Sequence, residues 1–399
     1  VENQGLDTLA VRSGTFSTPL NAASSPPLYQ ASSYEFADLD EVAGIYGGEV
    51  AGRIYGRLGG PNGAHFESAI AELEGAESAV GAASGMAAID AALKTNLAAG
   101  ETILATSELY GGTYSLLEKD YQERGVRVAY VDQCDLAAVR AALEGERPRV
   151  LYLEALTNPL THVADLPALA ALAREFGALT IVDATFASPV LVRPLAHGID
   201  LVVHSCGKYL GGHGDVGAGV LSGRTELVER ARTSLVRTGA TIPHFEAWLS
   251  LRGVRTLALR MARHSSNAVA VATALAASAE VTAVHHPSRP EHPQHALAGR
   301  LYPRGTGGIV AFDLRGGAVA VDLFLRELRG IPIVHSLGEV ATTIAYPAVS
   351  SHRPLPPEVR RGIGVGDGTL RFSVGIEDPA DLTAEIERAL AGLSARVRA

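Results

Sequence analysis

The stretch His204-Ser205-Cys206-Gly207-Lys208-Tyr209-Leu210-Gly211-Gly212-His213-Gly214-Asp215 decides the reading of this chain. It follows the apolar run Leu201-Val202-Val203 and holds one of only three lysines, Lys94, Lys119 and Lys208, among 34 basic residues. A chain that carries almost every positive charge on arginine has no solubility reason to set a lysine there. Lysine can lose its proton and attack a carbonyl, which arginine cannot. Lys208 is therefore a candidate Schiff-base residue. A chance surface lysine is the alternative, and the neighbours decide between them.

Outward from this run, short apolar segments alternate with helical patterns. Residues 102–105, 126–130, 150–154, 179–183 and 201–204 read as strands, with helices at 114–124, 136–143 and 166–176 between them. Several strands are continuous apolar runs, as expected where both sheet faces are covered. The pattern predicts an α/β domain with a largely parallel sheet, whose active residues gather at the strand C-terminal ends. Glu154, Asp183 and Ser205 hold such positions. Before these strands, Phe66, Ile70 and Leu73 recur at helical spacing until Gly75, and Ser84 caps a helix over 85–97. Residues 1–60, with Pro26-Pro27 and Gly47-Gly48 and little periodic pattern, read as an extended arm that packs on a neighbouring subunit. A second unit starts near 245. It has a long helical connection over 247–278, strands at 308–314 and 369–374, and helices at 319–329 and 380–393. The expected organisation is an arm (1–60), a large α/β domain (61–245) and a smaller C-terminal α+β domain (246–399).

Composition narrows the function classes. A net charge of −9 argues against nucleic acid or an anionic membrane as partner. Two cysteines, Cys134 and Cys206, make no disulfide framework and suit a reducing cytosol. The stretch Val1-Glu2-Asn3-Gln4 does not read as a signal peptide, and no apolar run approaches the ~18 residues of a membrane span. A cytoplasmic enzyme with a small-molecule substrate is expected.

A lysine Schiff base suggests pyridoxal 5'-phosphate. That cofactor needs an acid for its ring nitrogen, donors for its phosphate, a stacked ring and an arginine for the substrate carboxylate. Asp183, at the end of 179–183 and 25 residues before Lys208, is the candidate acid; alone it could equally cap a helix. Ser84, Gly85 and Met86 open a helix, where free amides suit a phosphate. Tyr110, before Gly111-Gly112-Thr113, could lie flat on a ring, or be a core tyrosine. Tyr55 and Arg57, two residues apart in extended chain, could clamp phosphate, or form a solvated pair. Arg371, inside the apolar run Leu370 to Val374, is costly unless paired; a substrate carboxylate or a structural acid would pair it.

Taken together these motifs resemble the cysteine/methionine-metabolism family of pyridoxal-phosphate enzymes, which includes cystathionine γ-synthases, γ- and β-lyases, methionine γ-lyases and O-acylhomoserine sulfhydrylases. The resemblance runs from Pro27-Leu28-Tyr29-Gln30 through Tyr55-Gly56-Arg57, Leu73-Glu74-Gly75, Ser84-Gly85-Met86, Tyr110-Gly111-Gly112-Thr113, Glu154 to Pro159, Val182-Asp183-Ala184-Thr185, Ser205 to Asp215 and Ser336-Leu337-Gly338 to Arg371-Phe372-Ser373-Val374-Gly375. It implies fold type I and a homotetramer of two active dimers. It implies an internal aldimine on Lys208, which also shuttles protons. Tyr110 is then the stacked ring and a helper in proton transfer, and Asp183 the partner of the ring nitrogen, with Thr185 beside it. Gly85, Met86 and Ser205 take the phosphate, joined by Tyr55 and Arg57 from a neighbouring subunit. Asn158, Ser336 and Arg371 hold the substrate carboxylate, with His335 beside them.

The chain departs from the family pattern in places. Gly207 stands where relatives often have Ser or Thr before the lysine, and Ala184 where Asn follows the Asp. Gly60-Pro61-Asn62 replaces an Asn-Pro-Thr, and Glu339-Val340-Ala341-Thr342 replaces a Gly-x-Glu-Ser pattern. His335 stands where cystathionine enzymes often carry Glu, and Gly112 where methionine γ-lyases have Cys. The expected reaction is γ-elimination or γ-replacement on a sulfur-containing or homoserine-derived amino acid. Cystathionine γ-synthase or γ-lyase chemistry stands slightly ahead of methionine γ-lyase or sulfhydrylase chemistry. A γ-substitution with a non-standard nucleophile, an aminotransferase and a non-catalytic cofactor-binding protein are the remaining readings. His285, His286, Glu291, His292 and His295 crowd a proline-rich segment, but their spacing fits no helix-face metal pair and a structural role is expected.

Overall fold

The computed structural model describes residues 4–14 and 23–398. Parts of the arm expected at 1–60, residues 1–3 and 15–22, lie outside these. Seven strands form one sheet: β1 (Ser78–Ala82), β2 (Thr102–Thr106), β3 (Arg127–Val131), β4 (Val150–Glu154), β5 (Leu179–Asp183), β6 (Leu201–Ser205) and β7 (Gly219–Gly223). Their order is β1-β7-β6-β5-β4-β2-β3, and the pairs from β6 through β3 are parallel. β7 runs antiparallel between β1 and β6. Four antiparallel strands, β8 (Val281–His285), β9 (Ile309–Leu314), β10 (Thr343–Ala345) and β11 (Thr369–Ser373), form a second sheet in the order β10-β11-β9-β8.

The continuous apolar runs are buried on both faces. Leu151, Leu153, Val182 and Val202 face one core, and Tyr152, Ile181, Leu201 and Val203 the other. The alternation places Glu154, Asp183 and Ser205 at the C-terminal ends of three neighbouring strands, with Glu154 directly beside Asp183 in register. This juxtaposition builds the site.

Several readings change. The arm contains a helix, Leu39–Gly47, started by Asp38, whose side chain accepts from the Glu41 amide at 2.8 Å, and ended by Gly48 with φ +75°. Its internal glycines, Gly44 and Gly47, masked the periodicity. The single connection expected over 247–278 is two helices, His244–Val254 and Leu257–Ala276. They break at Arg255-Thr256, where the Arg260 guanidinium bonds the carbonyls of Tyr209 and Gly253 at 2.6 and 2.7 Å. A full strand, β1, precedes Ser84, and β7, β8 and β10 have no counterpart among the expected strands. No helix among the described residues is long and apolar enough to cross a membrane.

Candidate active site

A cavity of about 220 Å³ opens over the ends of β4, β5 and β6. Ser84, Gly85, Met86, Tyr110, Asn158, Asp183, Thr185, Ser205, Lys208, His335 and Arg371 all line it. Lys208 follows β6 in a tight turn, with φ −106° and ψ −136°, outside helical values. Its Nζ donates to Ser336 Oγ at 2.9 Å. Burial, then the Arg371 guanidinium, pull the ammonium below its ordinary range, while Glu339 pulls weakly the other way. Of the three lysines, Lys94 and Lys119 are exposed on helices and Lys208 is recessed in this cavity.

Among the described residues Asp183 has no ion-pair partner. It accepts from the Thr185 amide at 2.9 Å and from its hydroxyl, and burial raises its carboxyl above the usual range against those bonds. Glu154, beside it, is pushed well up, by burial first and Asp183 second. Its two oxygens accept from the amides of Tyr110 at 2.7 Å and Asn158 at 3.0 Å, so one carboxyl holds both loops. Thr185 Oγ1 also accepts from the Ser205 amide at 2.9 Å, tying the ends of β5 and β6.

The helix Gly85–Lys94 starts at Ser84, whose hydroxyl accepts from the Ala87 amide at 3.1 Å. The amides of Gly85 and Met86 open that helix and have no carbonyl within it to bond. A Cβ on Gly85 would stand 2.7 Å from Ser205 Cβ, so only glycine lets the helix start close onto that serine. Amides, a positive helix end and the Ser205 hydroxyl then face one point, which suits a phosphate.

Arg371, on β11, is 1% exposed and has no carboxylate partner among the described residues. Its Nη1 donates to Asn158 Oδ1 at 2.9 Å, Nη2 reaches the His335 and Ser336 carbonyls at 3.4 Å, and Nε has no partner. Burial lowers this guanidinium to about 10. A buried cation met only by neutral oxygens calls for an anion from outside the chain.

Tyr55 and Arg57 are not brought to this cavity. Tyr55 is exposed, and Arg57 Nη1 bonds the Val236 carbonyl at 2.8 Å with its guanidinium 5.8 Å from the Tyr55 ring. Six wall residues, Ile89, Glu154, Leu156, Phe186, Leu337 and Ser351, were not among the expected site residues. Glu154 was legible as a strand-end acid. Phe186 and Ser351 had no local signal, since the turns that carry them are aimed by tertiary packing. Gly207 also has a physical reason: a Cβ there would lie 2.5 Å from the Val216 carbonyl oxygen. The proline-rich histidines find their own partners, His285 on Asp313 at 2.8 Å and His286 on Ser288 at 2.7 Å.

The residues fit pyridoxal phosphate: a recessed lysine with a lowered ammonium, an acid without a cation, a helix start beside a serine, and a buried arginine without an acid. The fold and cavity together define a fold type I pyridoxal-phosphate-dependent enzyme. The sequence profile of the family described as Cys/Met metabolism PLP-dependent enzyme matches residues 7–391, and the chain belongs to that family. The chain is 40% identical to an O-succinylhomoserine sulfhydrylase of Pseudomonas aeruginosa, over 98% of this chain and 97% of that protein. It is 39% identical to an L-methionine gamma-lyase of Pseudomonas putida, over 97% of each. It superposes with a TM-score of 0.93 and 35% identity on the cystathionine gamma synthase of Xanthomonas oryzae pv. oryzae, solved with aminoacrylate and cysteine, covering 98% of this chain and 99% of that one. The chain is therefore a pyridoxal-phosphate enzyme of the trans-sulfuration type, whose chemistry is γ-elimination or γ-replacement.

Proposed function

We propose that the chain catalyses γ-replacement on an O-acylhomoserine, exchanging the acyloxy group for a thiol. The observation that carries the reading is the pairing of Lys208 with the acid-free Arg371 in one cavity. Arg371 and Asn158 take the substrate carboxylate in a bidentate clamp, which sets the Cα–H toward Lys208. The lowered ammonium leaves Lys208 Nζ able to accept that proton and return it, and Ser336 Oγ fixes where Nζ waits. Asp183 holds the proton on the ring nitrogen, and the Tyr110 ring covers the cavity wall. The helix start at Gly85 and Met86 takes the phosphate with Ser205. The cofactor supplies the electron sink that makes Cα and then Cβ acidic enough for the γ-substituent to leave.

The acids lining the cavity are Glu154 and Asp183, both at strand ends, and exposed His335 stands at the mouth. No lining carboxylate there meets the second ammonium of cystathionine, which favours an acyl homoserine as the substrate. The relative named for O-succinylhomoserine supports the same direction. γ-Elimination from methionine is the second reading, supported by the methionine γ-lyase relatives. The same reading takes the chain as cytoplasmic and as a homotetramer of active dimers, divided at 1–60, 61–245 and 246–399. Tyr55 and Arg57 then complete the partner's phosphate site.

The test gives the enzyme O-succinyl- and O-acetyl-L-homoserine with cysteine or hydrosulfide, and separately L-methionine and L-cystathionine. Products are weighed by mass spectrometry. Thiol-dependent thioether or homocysteine from an acylhomoserine is the expected result. 2-Oxobutanoate from methionine, with no replacement product from either ester, sinks it in favour of elimination.

A further inference from the structure

His352 is fully buried in the turn after the short helix Pro347–Val349. Its Nε2 lies 3.0 Å from the Asn158 carbonyl oxygen, and its Nδ1 lies 2.9 Å from Ser351 Oγ. A carbonyl oxygen has no hydrogen to give, so Nε2 carries the proton. Burial, then the Arg371 charge, keep the ring neutral by lowering it to about 4. Nδ1 is therefore a bare lone pair, and the Ser351 hydroxyl must donate to it.

Ser351 lines the active cavity. With its only proton committed to His352, its oxygen is left as an acceptor at the cavity wall. The fold also fixes where it stands: a Cβ on Gly111 would lie 1.9 Å from the Ser351 carbonyl oxygen, so the turn rests directly on the backbone after Tyr110. The same imidazole steadies Asn158, whose Oδ1 holds Arg371. We infer that Ser351, set by His352 as a hydrogen-bond acceptor, is a substrate-contacting residue that takes an N–H or S–H donor from the side chain of the substrate or from the incoming nucleophile. His352 is the positioning residue. This adds a recognition element to the proposed site without depending on which γ-reaction follows.

The test needs no turnover. L-Norleucine and L-ornithine have side chains of the same length and differ only in a terminal methyl or ammonium, and neither has a γ-leaving group. Binding of each to the cofactor-loaded enzyme is read from the shift of the cofactor absorbance. Ser351→Ala weakens L-ornithine about tenfold, the effect of losing one hydrogen bond to a charged group, and leaves L-norleucine within about twofold. Ser351→Thr, which keeps the hydroxyl, restores the wild-type values. His352→Phe returns the proton to Ser351 and lowers the ratio of L-ornithine to L-norleucine affinity as Ser351→Ala does, any loss through Asn158 being common to both ligands; this ratio, with Ser351→Thr, carries the test if the alanine variant does not fold. Equal losses for both ligands, an unchanged affinity for L-ornithine, or wild-type enzyme that takes up L-norleucine but not L-ornithine overturns the assignment. A failure of the γ-replacement reading appears separately, in the product assays.

Discussion

Lys208 is poised by opposing charges. Burial and Arg371 lower its ammonium, and Glu339 raises it. The neutral amine is the form that reacts with the cofactor aldehyde, so uptake of pyridoxal phosphate by apo-enzyme rises with pH through the Lys208 ionisation, below the ordinary lysine range. Removing the Arg371 charge with Arg371→Met relieves a lowering influence and moves that midpoint to higher pH. Glu339→Gln removes a raising one and moves it to lower pH. Stopped-flow uptake rates from pH 6 to 10 check the pair, and midpoints that shift in the same direction refute the arrangement. Lys208, Asp183 and Arg371, which all line the cavity, were legible in the sequence because each is a residue out of keeping with its local pattern: a lysine in an arginine-rich chain, or a charge at the end of or inside an apolar strand; Tyr110 was legible as an aromatic set before paired glycines. Ser351 was not, because a serine in a turn is ordinary until the Asn158 carbonyl sets the tautomer of the histidine beside it.

At the level of elements, the turn after β6 leaves no room for a side chain at position 207. The Val216 carbonyl occupies the space that a side chain at 207 would need. Gly207→Ser, which puts a hydroxyl beside Lys208, is expected to displace the 211–217 loop and destabilise the protein by about 1–3 kcal/mol. It should loosen the cofactor rather than tighten it. Thermal melts with and without pyridoxal phosphate read both effects, and a variant that gains stability and cofactor retention would show that the loop yields freely. The parallel strands were readable because coverage on both faces leaves them continuously apolar. β4 and β5 match the expected residues end to end. The helix Leu39–Gly47 and the break at Arg255-Thr256 were not, since glycines dilute one pattern and a buried arginine, rather than a local breaker, turns the other.

Across the whole molecule, Tyr55 and Arg57 stand away from the cavity of their own chain. In the proposed assembly they serve the partner's site, so each site draws residues from two copies. Mixing Arg57→Ala enzyme with Lys208→Ala enzyme, each nearly inactive, puts both defects in one site of a mixed dimer and leaves the other site whole. Random reassortment then restores about a quarter of wild-type activity. No recovery after subunits are shown to exchange, by light scattering and native mass spectrometry, would place the arm's residues in their own chain's site or outside any site.

The spacing of the three amines has a practical side. Lys94 and Lys119 are exposed and Lys208 is recessed. Arginine already serves almost every other cationic position, so Lys94→Arg and Lys119→Arg together follow the chain's own habit. The result is an enzyme with one lysine side-chain amine, located in the cavity. Isotopically labelled lysine would then report a single resonance, and the protonation of the Lys208 nitrogen could be followed directly through each stage of a titration without any assignment problem.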